Sequence, residues 1–117
     1  MLSNELYWSF RSPYSYLVLP RVLSLTKQFY VNVDLRIVHP AAMRNPDYCK
    51  GMNRLARPYF FKDTARMAEF LAIPFRRPIP DPIIQDPVTL MIAEEQPYIY
   101  RLGRLGIAAV RRGNGLA

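Results

Sequence analysis

Near the start of this chain a strand runs directly into a helix, and the turn between them constrains everything that follows. Leu6, Trp8 and Phe10 alternate with Tyr7 and Ser9, the period of a strand with one apolar face. The alternation stops at Arg11-Ser12-Pro13, and helical spacing takes over. Ser12 suits the N-cap, because its hydroxyl oxygen accepts from a free backbone N–H of the first turn. Pro13 suits the first helical position, where a missing N–H costs nothing. The Ser12 hydroxyl is therefore expected at the electropositive end of a helix, where a thiolate, carboxylate or phosphate is held.

The spacing predicts a helix over 13–27. Tyr14, Leu17, Val18, Val22 and Leu25 form one apolar stripe, and Tyr16, Leu19 and Leu23 a second, so two sides should be covered. Pro20 removes one backbone bond inside it and predicts a kink. Next, Val31, Val33, Leu35 and Ile37 alternate with Asn32, Asp34 and Arg36, the clearest strand in the chain. Strand, helix and strand in this order make a βαβ unit, expected to be right-handed with parallel strands. His39-Pro40 closes it.

Residues 41–57 carry a turn at Asn45-Pro46-Asp47, with apolar cover from Met43, Tyr48, Met52 and Leu55. Pro58 opens a predicted helix over 58–72, on which Asp63 and Arg66 are spaced to pair. Five prolines fall within 74–87, which predicts an extended connector. Ile79, Ile83 and Ile84 should press it against the body. A short helix is expected from Asp86 or Pro87 to Glu95. Another begins at Pro97, with Tyr98, Leu102, Leu105 and Ala109 on one face, and ends at Gly113-Asn114-Gly115. Nothing after Val38 reads as a strand, and two parallel strands alone make no stable sheet.

At 117 residues the chain fits one domain, and 50% apolar residues suffice for a core. No apolar run is long enough for a transmembrane helix, and no signal peptide is visible at the N-terminus. Cys49 is the single cysteine, which excludes an intrachain disulfide and fits a reducing, cytoplasmic setting. The net charge of +7 comes mostly from arginine. Its arginines are scattered rather than blocked, so an anionic small molecule is the expected beneficiary and nucleic acid is not.

The turn at Ser12-Pro13-Tyr14-Ser15 has the shape of a C-P-x-C redox turn with serine at both cysteine positions. Residues 7–17, YWSFRSPYSYL, resemble the opening of the 2-hydroxychromene-2-carboxylate isomerases and the related kappa-class glutathione transferases. Residues 59–66 (YFFKDTAR) and 71–75 (LAIPF) are similar to that family's first inserted helix and its exit. Residues 80–86 (PDPIIQD) and 96–112 (QPYIYRLGRLGIAAVRR) look like the continuation in one branch. The resemblance implies an α/β, thioredoxin-like (DsbA-like) fold. Residues 1–40 would be the N-terminal βαβ half, and 41–117 a helical insertion with the Pro-rich connector at 74–87. The family's later strands have no counterpart here, so the chain is expected to be truncated before that fold closes and to have little activity alone.

The resemblance also implies a reaction. Family members hold the glutathione thiolate at the serine of the helix start; the thiolate adds to a conjugated enone-type acid, allows bond rotation, and leaves. Ser12 would be the catalytic residue, donating to the thiolate and helping the helix dipole keep it ionised. Serine would not itself attack, since no base stands beside it in sequence. Glutathione contacts are expected from Ser12, Pro13 and Tyr14 at the turn and from Asn53, Arg54 and Arg57 further on. Relatives carry a lysine near the position of Ala56, which this chain lacks; Arg54 and Arg57 flank the place. The expected partners are glutathione, a small aromatic or enone-type acid, and a second copy covering the open strand edge.

Plainer roles compete for the same residues. Ser12 is fully explained as a cap, and Ser15 as a first-turn residue. Tyr14 and Tyr16 suit a core or pocket wall, Trp8 the core, His39 a loop, and Cys49 an inert thiol. One histidine and one cysteine far apart make no metal site. Three other functions remain open: a thiol–disulfide oxidoreductase relative that has lost its cysteines, a non-catalytic interaction module, and an anion- or nucleic-acid-binding domain. Loss of both cysteines speaks against redox exchange, which needs a thiolate.

Overall fold

The computed structural model describes residues 1–116. It is a mixed α/β chain in the order β1 (Leu2–Trp8), α1 (Pro13–Gln28), β2 (Val31–Ile37), α2 (Ala41–Arg44), α3 (Ala56–Phe70) and α4 (Ile99–Arg111). The two strands form a parallel sheet in which Leu2 lies beside Val31 and Trp8 beside Ile37. Strand, crossover helix and parallel strand are thus present as the alternation demands.

The register divides the sheet into two unlike faces. Glu5 sits directly beside Asp34, and Tyr7 beside Arg36. Adjacent like charges repel, and Arg36 relieves the pair by reaching both carboxylates, at 3.1 Å from Glu5 and 2.7 Å from Asp34. Tyr7 donates to Glu5 at 2.7 Å. That bond and the Arg36 guanidinium hold the Glu5 carboxyl below its usual range. On the opposite face Leu6 and Trp8 lie beside Leu35 and Ile37, and the helices cover them.

Helix α1 buries Leu17 and runs unbroken through Pro20, whose position is exposed. Helix α4 crosses the apolar face at close range because Gly106 has no side chain. A Cβ there would stand 2.8 Å from the Phe10 ring and 3.2 Å from Ile37. Phe10 in turn meets Trp8 edge to face at 4.7 Å between centroids. Tyr14 packs on Phe60 at 5.4 Å, and the Tyr16 hydroxyl donates to the Pro74 carbonyl at 2.6 Å. Both tyrosines, expected in the core or a pocket wall, instead clasp α3 and its exit at the surface.

Several expectations are corrected. Strand β1 starts at Leu2 and ends at Trp8, rather than spanning 6–10, because pairing with β2 begins at Val31 whatever the hydrophobicity of Ser3 and Asn4. Helix α3 starts at Ala56, since Pro58 is tolerated anywhere in a first turn that needs no N–H. It ends at Phe70, where Ala72 turns left-handed with φ of 53° and Ile73 N–H reaches back to the Ala68 carbonyl at 3.0 Å. No helix forms over 86–95. The Asp86 carboxylate accepts from the N–H groups of Val88 and Thr89, at 2.8 and 2.6 Å. A turn results, and an isolated antiparallel bridge joins Gln85 to Ile92.

The connector does lie on the body, but through one isoleucine only. Ile83 is 1% exposed, whereas Ile79 is 93% exposed. The Gln96 side-chain amide holds it in place, accepting from Ile84 N–H and donating to the Ile84 carbonyl, each at 2.8 Å. Gln96 is itself buried, and both ends of its amide are satisfied, as a buried polar group requires.

Candidate functional site

Ser12 lies at the N-cap of α1 with extended backbone, φ −79° and ψ 115°, and its Oγ accepts from Ser15 N–H at 3.3 Å. Capping uses an oxygen lone pair, so the hydroxyl proton stays free to donate. Pro13 has no N–H, and the Ser15 N–H is taken by the cap. Among the described residues the Tyr14 N–H has no hydrogen-bond acceptor. Two donors, the Ser12 O–H and the Tyr14 N–H, thus remain at the positive end of a 16-residue helix.

The turn is rigidly built. Ser12 N–H donates to the Ser9 carbonyl at 3.2 Å, and the Trp8 indole N–H donates to the Ser15 carbonyl at 3.0 Å. Ser15 Oγ accepts from Ser9 N–H at 3.4 Å. Ser15 therefore does more than fill a helical position: it ties the end of β1 to the first turn of α1. The Ser9 Oγ is buried and has no hydrogen-bond partner among the described residues.

The other expected glutathione contacts fall in the turn before α3, with Asn53 and Arg54, and in its first turn, with Arg57. Asn53 Oδ1 accepts from Leu55 N–H at 2.9 Å and so serves the helix start. Arg54 is exposed, and Arg57 lies 5.7 Å from the centre of the Phe61 ring. Tyr14 connects the two helices by donating its hydroxyl to Asp63 at 2.5 Å. That bond, with burial and the carboxylate charge behind it, pushes the Tyr14 phenol up to about 12. Among the described residues no hydrogen bond joins Ser12 to Asn53, Arg54 or Arg57. The structure therefore brings Tyr14 to α3 but leaves the two groups of expected contacts unlinked.

A polar cluster beside the turn had no signal in the sequence. Arg11, the residue before the cap, binds Asp81 through Nε at 3.1 Å and Nη2 at 3.2 Å, and Gln85 Oε1 at 2.8 Å. Burial would raise the Asp81 carboxyl, but the Arg11 bond, the Ile83 N–H and the charges of Arg11 and Arg77 together hold it below its usual range. Gln85 also donates to the Leu90 carbonyl at 2.9 Å and approaches Cys49 Sγ at 3.8 Å. Arg11 and Asp81 lie 70 positions apart, so no local pattern pairs them.

Two hollows border the sheet. One, about 360 Å³, is lined by Ile37, Val38, His39, Tyr100, Gly103, Arg104 and Ile107. The second, about 250 Å³, lies beside Asp34, Leu35 and Arg36 with the end of α4. Neither is lined by Ser12.

The architecture and the turn together define a mixed α/β chain with a serine-capped crossover helix following its first strand. No family model, curated protein or solved structure matches the chain. Among the described residues no helix is long and apolar enough to cross a membrane.

Proposed function

We propose that this chain is a glutathione-dependent isomerase similar to the 2-hydroxychromene-2-carboxylate isomerases, with a thioredoxin-like (DsbA-like) fold. The observation that carries the proposal is the pair of free donors, Ser12 O–H and Tyr14 N–H, at the start of α1. A thiolate placed there gains two charge-assisted hydrogen bonds and the helix dipole, each of which favours the ionised sulfur. The ionised sulfur adds to the activated carbon of a small aromatic or enone-type acid. Rotation about the bond so made single follows, and expulsion of the thiolate restores the double bond. Arg54 and Arg57 would supply positive charge toward the glutathione carboxylates. Pairing of a second copy along an open sheet edge belongs to the same proposal, and sedimentation velocity tests it.

Titration with glutathione, followed through Trp8 fluorescence, tests the site, because the indole is bonded to the first turn of α1. A saturable change at millimolar glutathione that disappears in Ser12→Asp is expected. A flat titration would overturn the assignment. A second reading, a non-catalytic interaction module, is favoured by the fact that neither hollow is lined by Ser12; it predicts that flat titration.

A further inference from the structure

Helix α4 contains two glycines, and they answer to different neighbours. Gly106 is required by Phe10, whose ring occupies the place of a Cβ. Gly103 is buried, yet a Cβ built on it would meet no atom within 4 Å. A glycine is a poor helix residue, and no protein group here calls for one. The space above it is the 360 Å³ hollow.

The walls of that hollow describe an occupant. Ile37, Val38 and Ile107 supply aliphatic surface, and Tyr100 stands edge-on to His39 at 5.4 Å. Among the described residues Arg104 is its one cation, and no carboxylate lines it. Arg104 Nε donates to the Tyr100 carbonyl at 3.3 Å, which leaves the terminal guanidinium nitrogens for an anion. The neighbouring hollow differs in holding a carboxylate: Asp34 lines it and pairs with Arg36, and Arg111 is a second cation there. The Gly103 hollow also opens at the carboxyl end of β2, the side on which open parallel sheets receive ligands.

We infer that the hollow over Gly103 is a binding site for a small aromatic carboxylate, its acid group on Arg104 and its ring against Tyr100, Ile37 and Ile107. The inference rests on the proposed isomerase for its link to an enone-type acid substrate, whereas the walls themselves stand without glutathione. The size is in the range of small-molecule sites, which are mostly apolar with few polar groups.

The test is a ¹H–¹⁵N titration of the full chain with 1-naphthoate, and with neutral 1-naphthalenemethanol, in the absence of glutathione. Naphthoate is expected to move the amide signals of His39, Gly103, Arg104 and Ile107 and to leave those of Asn53 and Arg57 in place. Arg104→Gln should weaken naphthoate roughly tenfold and the neutral alcohol by less than about twofold. Gly103→Leu should abolish both while helix content, read by circular dichroism, is kept. Shifts confined to other residues, or naphthoate binding to Gly103→Leu as tightly as to the natural chain, would overturn the site. Naphthoate binding with no glutathione response would keep this site and remove the isomerase.

Discussion

Arg11 and Asp81 meet in a two-pronged ion pair, at 3.1 and 3.2 Å, that fastens the Pro-rich connector to the residue preceding the α1 cap. Both side chains are about three-quarters buried, so the pair is less screened than a surface bridge. Asp81→Asn should cost about 1–2 kcal/mol in urea unfolding. The carboxyl lies below its usual range in the folded chain, so its contribution is present above the unfolded carboxylate pKa and is lost as pH falls through the lowered value. Natural protein should therefore lose stability below about pH 4, and Asp81→Asn should show a shallower acid slope.

Ser12 combines two roles that one substitution separates. Aspartate caps a helix as well as serine does, but it carries a negative charge and no proton to donate. Ser12→Asp should keep stability within about 0.5 kcal/mol, whereas Ser12→Ala should lose about 1 kcal/mol. Both should lose the glutathione response. Urea melts beside fluorescence titrations separate the cap from the binding role.

Tyr14 is held in its protonated form by Asp63, which raises its pKa to about 12 from an ordinary 10.0. The stabilisation is present below the unfolded phenol pKa and disappears as pH rises from there through the raised value. A tyrosinate absorbance titration should show a late step from Tyr14, beside that of Tyr7, whose phenol its bond to Glu5 also raises. In Asp63→Asn the Tyr14 step should move back toward the ordinary value, and the alkaline loss of stability should become smaller.

Three single-residue changes test the backbone. Ala72 closes α3 with φ of 53°, a conformation that strains any residue with a Cβ, so Ala72→Gly should stabilise by about 0.5–1 kcal/mol. In α4, Gly103→Ala should stabilise by a similar amount, about 0.5–1 kcal/mol, because the new methyl enters open space. Gly106→Ala should come out at least about 1 kcal/mol worse than Gly103→Ala, because its methyl meets Phe10 and Ile37. Thermal melts of the three variants decide the order.

Much of the local structure was legible in the chain. The Ser12 cap, the Pro13 start and the alternation of β2 each depend on contacts between residues a few positions apart, and all three stand as expected. Helix over 86–95 failed for a local reason too, since the Asp86 side chain competes for the backbone N–H groups that a helix would leave free. The Arg11 cluster was not legible. Any of several carboxylates was an equal partner for Arg11 until the path of the connector placed Asp81 beside it.

The glycines of α4 mark the division most clearly. In sequence Gly103 and Gly106 are alike, two weak helix residues that permit close packing. Periodicity and capping are set by bonds within one turn or one strand pair, so the sequence alone determined where α1 begins and which face of β2 is apolar. What fills the space beside a residue depends on segments far along the chain, and only the tertiary structure could place Phe10 against Gly106 and leave the hollow over Gly103 open.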